Sequence, residues 1–247
     1  MKLVIGNRNY SSWSLRPWLL IEHAGLPLEE VEIPLFTPEG DALLKQWSPS
    51  GKVPVLHDGP LVLWDSLAIC EYIADKSTIP LWPEDTAERA TARAISAEMH
   101  AGFHALRETM PMNIRRRMTG FRPDLDTRID IDRVVQIIEN ALAESERRGA
   151  DAVSAPWLFG DYSVADAMYA PVMLRFRSYG IALPTRARRY QARVLDDVPM
   201  RRWCALAEAE TTVIAAAEVA DADVPDADVR DTDVPDTRLL DTDVSAT

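Results

Sequence analysis

The sequence predicts an α/β unit followed by an all-helical unit, and three features of its patterning predict this. The chain opens on a branched apolar run, Met1 to Gly6, that passes through a hydroxyl-rich turn directly into an apolar helix. Asp58-Gly59-Pro60 sits between two short apolar runs, which is the strong short-range hairpin signal. From residue 86 onward apolar residues recur at three- and four-residue steps. A chain of 247 residues, 47% of them apolar, can build two modest cores.

Taken in order, Met1 to Gly6 reads as a buried strand. The helix after it is capped by Ser14 or Trp13, with Pro17 in its first turn, where a missing N–H costs little, and it ends near Gly25. Leu28 to Leu35 alternates loosely and reads as a second strand, so strand, helix and strand form a parallel crossover. A polar loop with Pro38 and Gly40 leads to a short helix from Asp41 to Trp47, then to a turn at Ser48 to Gly51. Val53 to His57 and Leu61 to Trp64 are the antiparallel hairpin strands, and Asp65-Ser66 opens a helix that ends near Lys76. Domain one therefore covers 1–78.

Residues 77 to 85 form a proline-containing linker. Asp85 and Glu88 resemble a capping box for a long helix carrying Ile95, Met99, Phe103, Leu106 and Met110, disturbed at Pro111. A second stripe, Ile131 to Leu142, predicts the next helix, ending near Gly149. Further helices are expected at about 163–179, 187–195 and 200–210, which makes 86–215 all-helical. The end, 219–247, repeats acidic pentads in which nine aspartates face only Arg230 and Arg238, too polar to offset ordering entropy, and is expected to be disordered.

Composition excludes several functions. A formal charge of -12 argues against binding a phosphate backbone, so nucleic acid is not an expected partner. Cys70 and Cys204 lie far apart in helix-like stretches, giving neither a disulfide framework nor a zinc motif and fitting a reducing cytoplasm. No apolar run approaches membrane length and no signal peptide is read at the start. His100 and His104 are one turn apart without a third ligand or an HExxH pattern, so no metal is expected. Arg115, Arg116 and Arg117 read first as a solvated helix end.

Chemistry concentrates at three places. Ser11 and Ser12 precede a helix whose free N–H groups suit an anion, and without a nearby base they serve better as donors than as nucleophiles. Trp13 beside them can wall a site. Val53-Pro54 leaves an outward-facing peptide edge, and a cis bond there would present the Val53 N–H and C=O. Asp65-Ser66 combines a carboxylate, a hydroxyl and free N–H groups able to receive an ammonium and a carboxylate together. One small zwitterionic peptide satisfies all three.

On these residues the chain resembles the glutathione S-transferase family. The resemblance is carried by the Tyr-Ser-Ser-Trp-Ser-Leu-Arg turn at Tyr10 to Arg16, by Gly51-Lys52-Val53-Pro54-Val55-Leu56 and by Asp65 to Ile73. Gly160-Asp161-Tyr162-Ser163-Val164-Ala165-Asp166 adds the family's buried capping box. The resemblance covers about residues 1 to 215 and implies a thioredoxin-like N-terminal domain, a helical C-terminal domain and glutathione as co-substrate. It further implies a homodimeric, cytoplasmic transferase with a role in detoxification, acting on a small electrophile. Ser11, with Ser12 as the alternative, would donate to the glutathione sulfur, Val53 would pair with the cysteinyl backbone, and Asp65 with Ser66 would hold the γ-glutamyl end. Trp13, Lys52 and Pro54 complete the implied glutathione site. The turn is similar to that of zeta-like members, which include isomerases, but Trp13 stands where those carry cysteine. A zeta-like isomerase and a non-catalytic binding module are the alternatives.

Overall fold

The computed structural model describes residues 1–149 and 157–219. The acidic pentads from residue 220 lie outside them.

Four short strands, β1 (Lys2–Gly6), β2 (Glu29–Ile33), β3 (Val55–Asp58) and β4 (Leu61–Trp64), form one mixed sheet in the order β2-β1-β3-β4. β1 pairs parallel with β2 and antiparallel with β3, and the hairpin β3–β4 closes through Gly59, whose φ of 59° suits glycine. Side chains alternate as the pleat requires. Leu3 and Ile5 join the main core on one face, whereas Val4, Ile33 and Val55 form a small cluster on the other. Helices α1 (Ser12–His23) and α3 (Ser66–Lys76) lie on the first face, and α2 (Pro38–Trp47) covers the second with Leu43, Leu44 and Trp47.

Two helix starts differ from expectation here. α1 starts at Ser12 with Ser11 as its cap, so Pro17 falls inside the helix, where it removes the bond that would run to the Trp13 carbonyl. α2 begins at Pro38 with Thr37 as cap and includes Gly40, a position that must be glycine because a Cβ there would lie 1.9 Å from the Pro34 carbonyl oxygen.

The helical part comprises α4 (Thr86–Ala101), α5 (His104–Thr109), α6 (Leu125–Arg147), α7 (Val164–Ser178), α8 (Thr185–Asp196) and α9 (Val198–Ala209). α7 packs on both α1 and α4, so α1 is covered by the sheet on one side and by α7 on the other. That double cover explains why Leu15, Trp18, Leu19, Leu20 and Ile21 are all buried, and why one apolar core runs from β1 into the helical bundle.

The expected long helix is interrupted at Gly102–Phe103 instead of Pro111. Phe103 takes φ 62°, and an added Cβ on Gly102 would stand 2.9 Å from the Glu98 carbonyl. Arg107 reaches back over the break to the carbonyls of Gly102, at 3.0 Å, and of Met99. Only half of the expected capping box forms at α4: Asp85 accepts the N–H groups of Ala87 and Glu88, but the Glu88 carboxylate pairs with Arg148. At α7 the buried box is complete, with Asp166 accepting from Ser163 N–H and O–H, each at 2.9 Å.

After α9 the chain turns back across the molecule. Glu210 accepts the N–H groups of Arg8 and Asn9, at 2.5 and 3.1 Å. Glu218 accepts from the Tyr10 hydroxyl at 2.6 Å and from Asn113 at 2.9 Å. Arg115 is therefore no solvated helix end: it donates to the carbonyls of Glu210 and Thr212 and to the Tyr10 oxygen.

Candidate active site

A cleft of roughly 450 Å³ opens beside the N-termini of α1 and α3. Trp13, Lys52, Val53, Pro54, Asp65 and Ser66 line it together with Ser50, Trp64 and His100. Each is placed by its local backbone. Val53-Pro54 is a cis peptide bond at the head of β3, next to the end of β1, where a Cβ on Gly6 would meet Val53 at 3.2 Å. Asp65 caps α3 by accepting the N–H groups of Leu67 and Ala68 at 2.9 and 3.1 Å. Its backbone has φ 78° and ψ 127°, a strained region for an aspartate and one that clusters at binding sites.

Asp65 has a second partner across the domains. Its other carboxylate oxygen lies 3.0 Å from His100 Nε2 on α4. Burial, chiefly, pulls the His100 imidazole below its ordinary range; Asp65 opposes that shift, and Arg16 and Arg107 add to it. Among the described residues the buried Nδ1 has no partner, which suits a neutral ring whose Nε2 carries the proton to Asp65.

Behind the cleft three guanidinium groups converge. Arg16 is fully buried; it lies 4.4 Å from the Trp13 ring centroid and approaches Ser66 Oγ at 3.5 Å. Arg107 lies 4.9 Å from the same centroid. Arg175, on α7, donates to the Met110 carbonyl at 2.8 Å and to Ser12 Oγ at 3.3 Å. Burial and then the charges of Arg107 and Arg175 lower Arg16 well below the normal guanidinium range, and burial followed by Arg107 brings Arg175 down to about 9. Among the described residues neither Arg16 nor Arg175 has a carboxylate at ion-pair distance, so this is a region of positive potential.

The two serines are not on the cleft wall. Ser11 and Ser12 are buried, 6% and 4% exposed, directly behind Trp13. Ser11 Oγ donates to Ser14 Oγ at 2.7 Å and accepts the Ser14 N–H at 3.4 Å, while Ser12 Oγ meets Arg175. His100, Arg107 and Arg175 were missed by sequence reasoning as parts of this site. Their own stretches carry helical periodicity and nothing that names a partner in the first eighty residues. Cys70 and Cys204 are free and buried, and burial pushes both thiols up. Among the described residues no three His, Cys, Asp or Glu side chains come together as metal ligands, and no helix is long and apolar enough to cross a membrane.

A small mixed sheet with a cis-proline edge facing a capped helix N-terminus, backed by an all-helical bundle, defines a thioredoxin-like domain joined to a helical one. Comparison with known proteins agrees. Residues 10–76 match the family model described as glutathione S-transferase, N-terminal domain, and residues 130–204 match glutathione S-transferase, C-terminal domain. The chain is 31% identical over 170 residues to glutathione S-transferase 1 of Zea mays, covering 66% of this chain and 76% of that protein. It is 34% identical over 100 residues to a probable maleylacetoacetate isomerase of Caenorhabditis elegans, covering 40% of this chain and just under half, 46%, of that protein. Among solved structures, a bacterial zeta-class maleylpyruvate isomerase in its holo form superposes with a TM-score of 0.65 at 24% identity, covering 86% of this chain and all of that one. A Burkholderia glutathione transferase homologue with bound glutathione superposes with a TM-score of 0.61 at 20% identity, covering 84% and 97%. The chain belongs to the glutathione S-transferase family.

Proposed function

We propose that the chain binds glutathione in the cleft and promotes attack of its thiolate on a small electrophile. The observation that carries this reading is the cleft itself, where a cis Val53-Pro54 edge, an acidic helix cap at Asp65-Ser66 and the cation Lys52 face one space. A γ-glutamyl tripeptide supplies the matching groups. Its cysteinyl amide pairs with the Val53 backbone, its ammonium with the Asp65 carboxylate, and its γ-glutamyl carboxylate with Ser66 and the N-terminus of α3. Lys52 suits the remaining carboxylate. The thiol gives its proton to solvent, a serine hydroxyl of the turn (Ser11 or Ser12) and the α1 N-terminus stabilise the sulfur anion, and the sulfur forms the new C–S bond as the electrophile's leaving group departs with its bonding pair or, in an addition, as the displaced π pair takes a proton from water.

The test uses the full chain. Glutathione should quench the fluorescence of Trp13 and Trp64 on the cleft wall, and conjugates should accumulate across an electrophile panel. Absence of any glutathione binding would sink the reading, and binding without turnover would leave a binding module. A zeta-like isomerase is the second reading, favoured by the likeness to the nematode and bacterial isomerases named above. Product formed without net consumption of glutathione distinguishes it.

The same reading carries a cytoplasmic, detoxifying enzyme assembled as a homodimer. Leu61 and Trp64 on the edge strand β4 are 37% and 49% exposed and offer apolar surface beside Asp65 for a second copy to cover. Light scattering should report twice the chain mass at micromolar concentration; a monomer there removes the dimer.

A further inference from the structure

The two serines of the turn are equivalent in sequence but not in structure. Ser11 faces the sheet. Its single hydroxyl proton is spent on Ser14 Oγ, which in turn accepts the Gly6 N–H at 3.1 Å, so the pair Ser11–Ser14 staples the start of α1 to the end of β1. Ser11 Oγ also serves as the cap, accepting the Ser14 N–H. Both its donating and its accepting capacity have structural employment.

Ser12 points another way. It lies four residues before Arg16, and positions i and i+4 share a helix face. Arg16 reaches Ser66 and stacks on Trp13, both of which line the cleft, so the face carrying Ser12 looks toward α3 and the helical bundle, away from β1. There Ser12 Oγ accepts from Arg175 Nη2 at 3.3 Å, and among the described residues its own proton has no acceptor. A hydroxyl that accepts from a cation is a stronger donor, because the bonds polarise one another. Arg175 is fixed for this task by its Nε bond to the Met110 carbonyl and is 6% exposed. Neither Arg175 nor Arg16 has a carboxylate at ion-pair distance among the described residues. An anion at the Ser12 hydroxyl would supply the charge this pocket lacks.

We propose, resting on the glutathione-binding reading above, that Ser12, in preference to Ser11, donates the hydrogen bond to the glutathione sulfur, and that Arg175 is the residue that positions and polarises Ser12. The serine expected from the family order is thereby the structural one. The groups that act on Arg16, one helical turn from Ser12, are Ser66, Asp65 and Cys70 from α3, Arg107 from α5 and Arg175 from α7; of these Asp65, on the cleft wall, is the carboxylate.

The test is ultraviolet titration of the thiolate in the glutathione complex of the full chain, for wild type, Ser11→Ala, Ser12→Ala, Arg175→Met and Arg175→Lys. Ser12→Ala should raise the pKa of the bound thiol by about one unit or more, a roughly tenfold loss of thiolate at neutral pH, and exceed the effect of Ser11→Ala. Ser11→Ala should register chiefly in the melting temperature, as loss of a cap. Arg175→Met should raise the thiol pKa as well, with no further rise in the double variant Ser12→Ala/Arg175→Met, since both act through one hydroxyl. Arg175→Lys keeps the charge and should recover part of the shift, which a merely structural role would not. A larger shift in Ser11→Ala than in Ser12→Ala, or additive shifts in the double variant, would overturn the assignment. Should Arg175→Met fail to fold, the order of the two serine variants and the lysine variant still decide it. Wild type that binds no glutathione overturns the functional reading and this inference with it, whereas binding with unshifted thiol in Ser12→Ala overturns this inference alone.

Discussion

At the residue scale, Asp65 carries two tasks that one substitution can separate. As a cap it satisfies two α3 N–H groups; as a charge it faces His100 and the cleft. Asparagine caps a helix as well as aspartate does but carries no charge. Asp65→Asn should therefore hold the melting temperature nearly constant while weakening glutathione binding at least about tenfold, the loss expected for a charge-assisted hydrogen bond. Asp65→Ala should also lose about 1 kcal/mol of stability through the cap, measured by urea titration. His100 adds a pH signature. Its folded pKa lies below the ordinary imidazole value because the ring is partly buried, so well above about pH 6.5 neither state is charged and the group contributes nothing. As pH falls below that value the unfolded ring takes its proton first, and stability declines until the folded ring titrates too. His100→Asn should flatten this part of the stability profile between about pH 7 and 5; an unchanged slope would show that the ring does not titrate abnormally.

At the element scale, α7 is the helix on which both halves depend, because it packs on α1 and α4 and brings Arg175 to Ser12. Its start is held by Asp166, which is 1% exposed and accepts from Leu158 N–H, from Ser163 N–H and O–H, and from the Tyr190 hydroxyl. Asp166→Ala leaves those donors buried without an acceptor and should cost about 3 kcal/mol or more, read as a large fall in the urea midpoint or as insoluble protein. Ser163→Ala removes one of these donors and should cost about 1 kcal/mol. Equal effects from the two would mean that the carboxylate is not the hub. The box was legible because its two residues lie three apart; the Tyr190 and Leu158 partners were not, since nothing in a helical stripe announces a hydrogen bond to another element.

At the scale of the whole molecule, the segment after α9 ties the serine turn down. Glu210 holds the backbone of Arg8 and Asn9, Glu218 holds Tyr10, and Arg115 bridges the two. Burial raises the Glu210 carboxyl above its usual range, opposed by those two backbone N–H bonds. A chain ending at Val219 should melt like the full chain, as the pentads are expected to be dispensable for folding. A chain ending at Ala209 loses the Glu210 and Glu218 clamps and keeps only the Arg115–Tyr10 bond, and its melting temperature should fall by about 5 °C or more, with weaker thiolate formation on bound glutathione. Equal melting of the two truncated chains would remove the clamp.

What the sequence by itself determined are features whose cause is local. Strand alternation, helical stripes, the Asp-Gly hairpin, the Asp65 and Asp166 caps and the Val53-Pro54 edge each depend on residues a few positions apart, and the fold class and the family follow from them. Even local reading failed where a glycine serves close packing: Gly40 sits inside a helix and Gly102 ends one, each beside a carbonyl that a Cβ would strike. What only the tertiary structure decided is which groups meet. Ser11 turns to β1 and Ser12 to α7, His100 reaches Asp65, and Arg107 and Arg175 surround a turn almost a hundred or more residues away. Those pairings are set by how the helical bundle lands on the sheet, and burial of apolar surface, the force that lands it, is non-directional and names no partner along the chain.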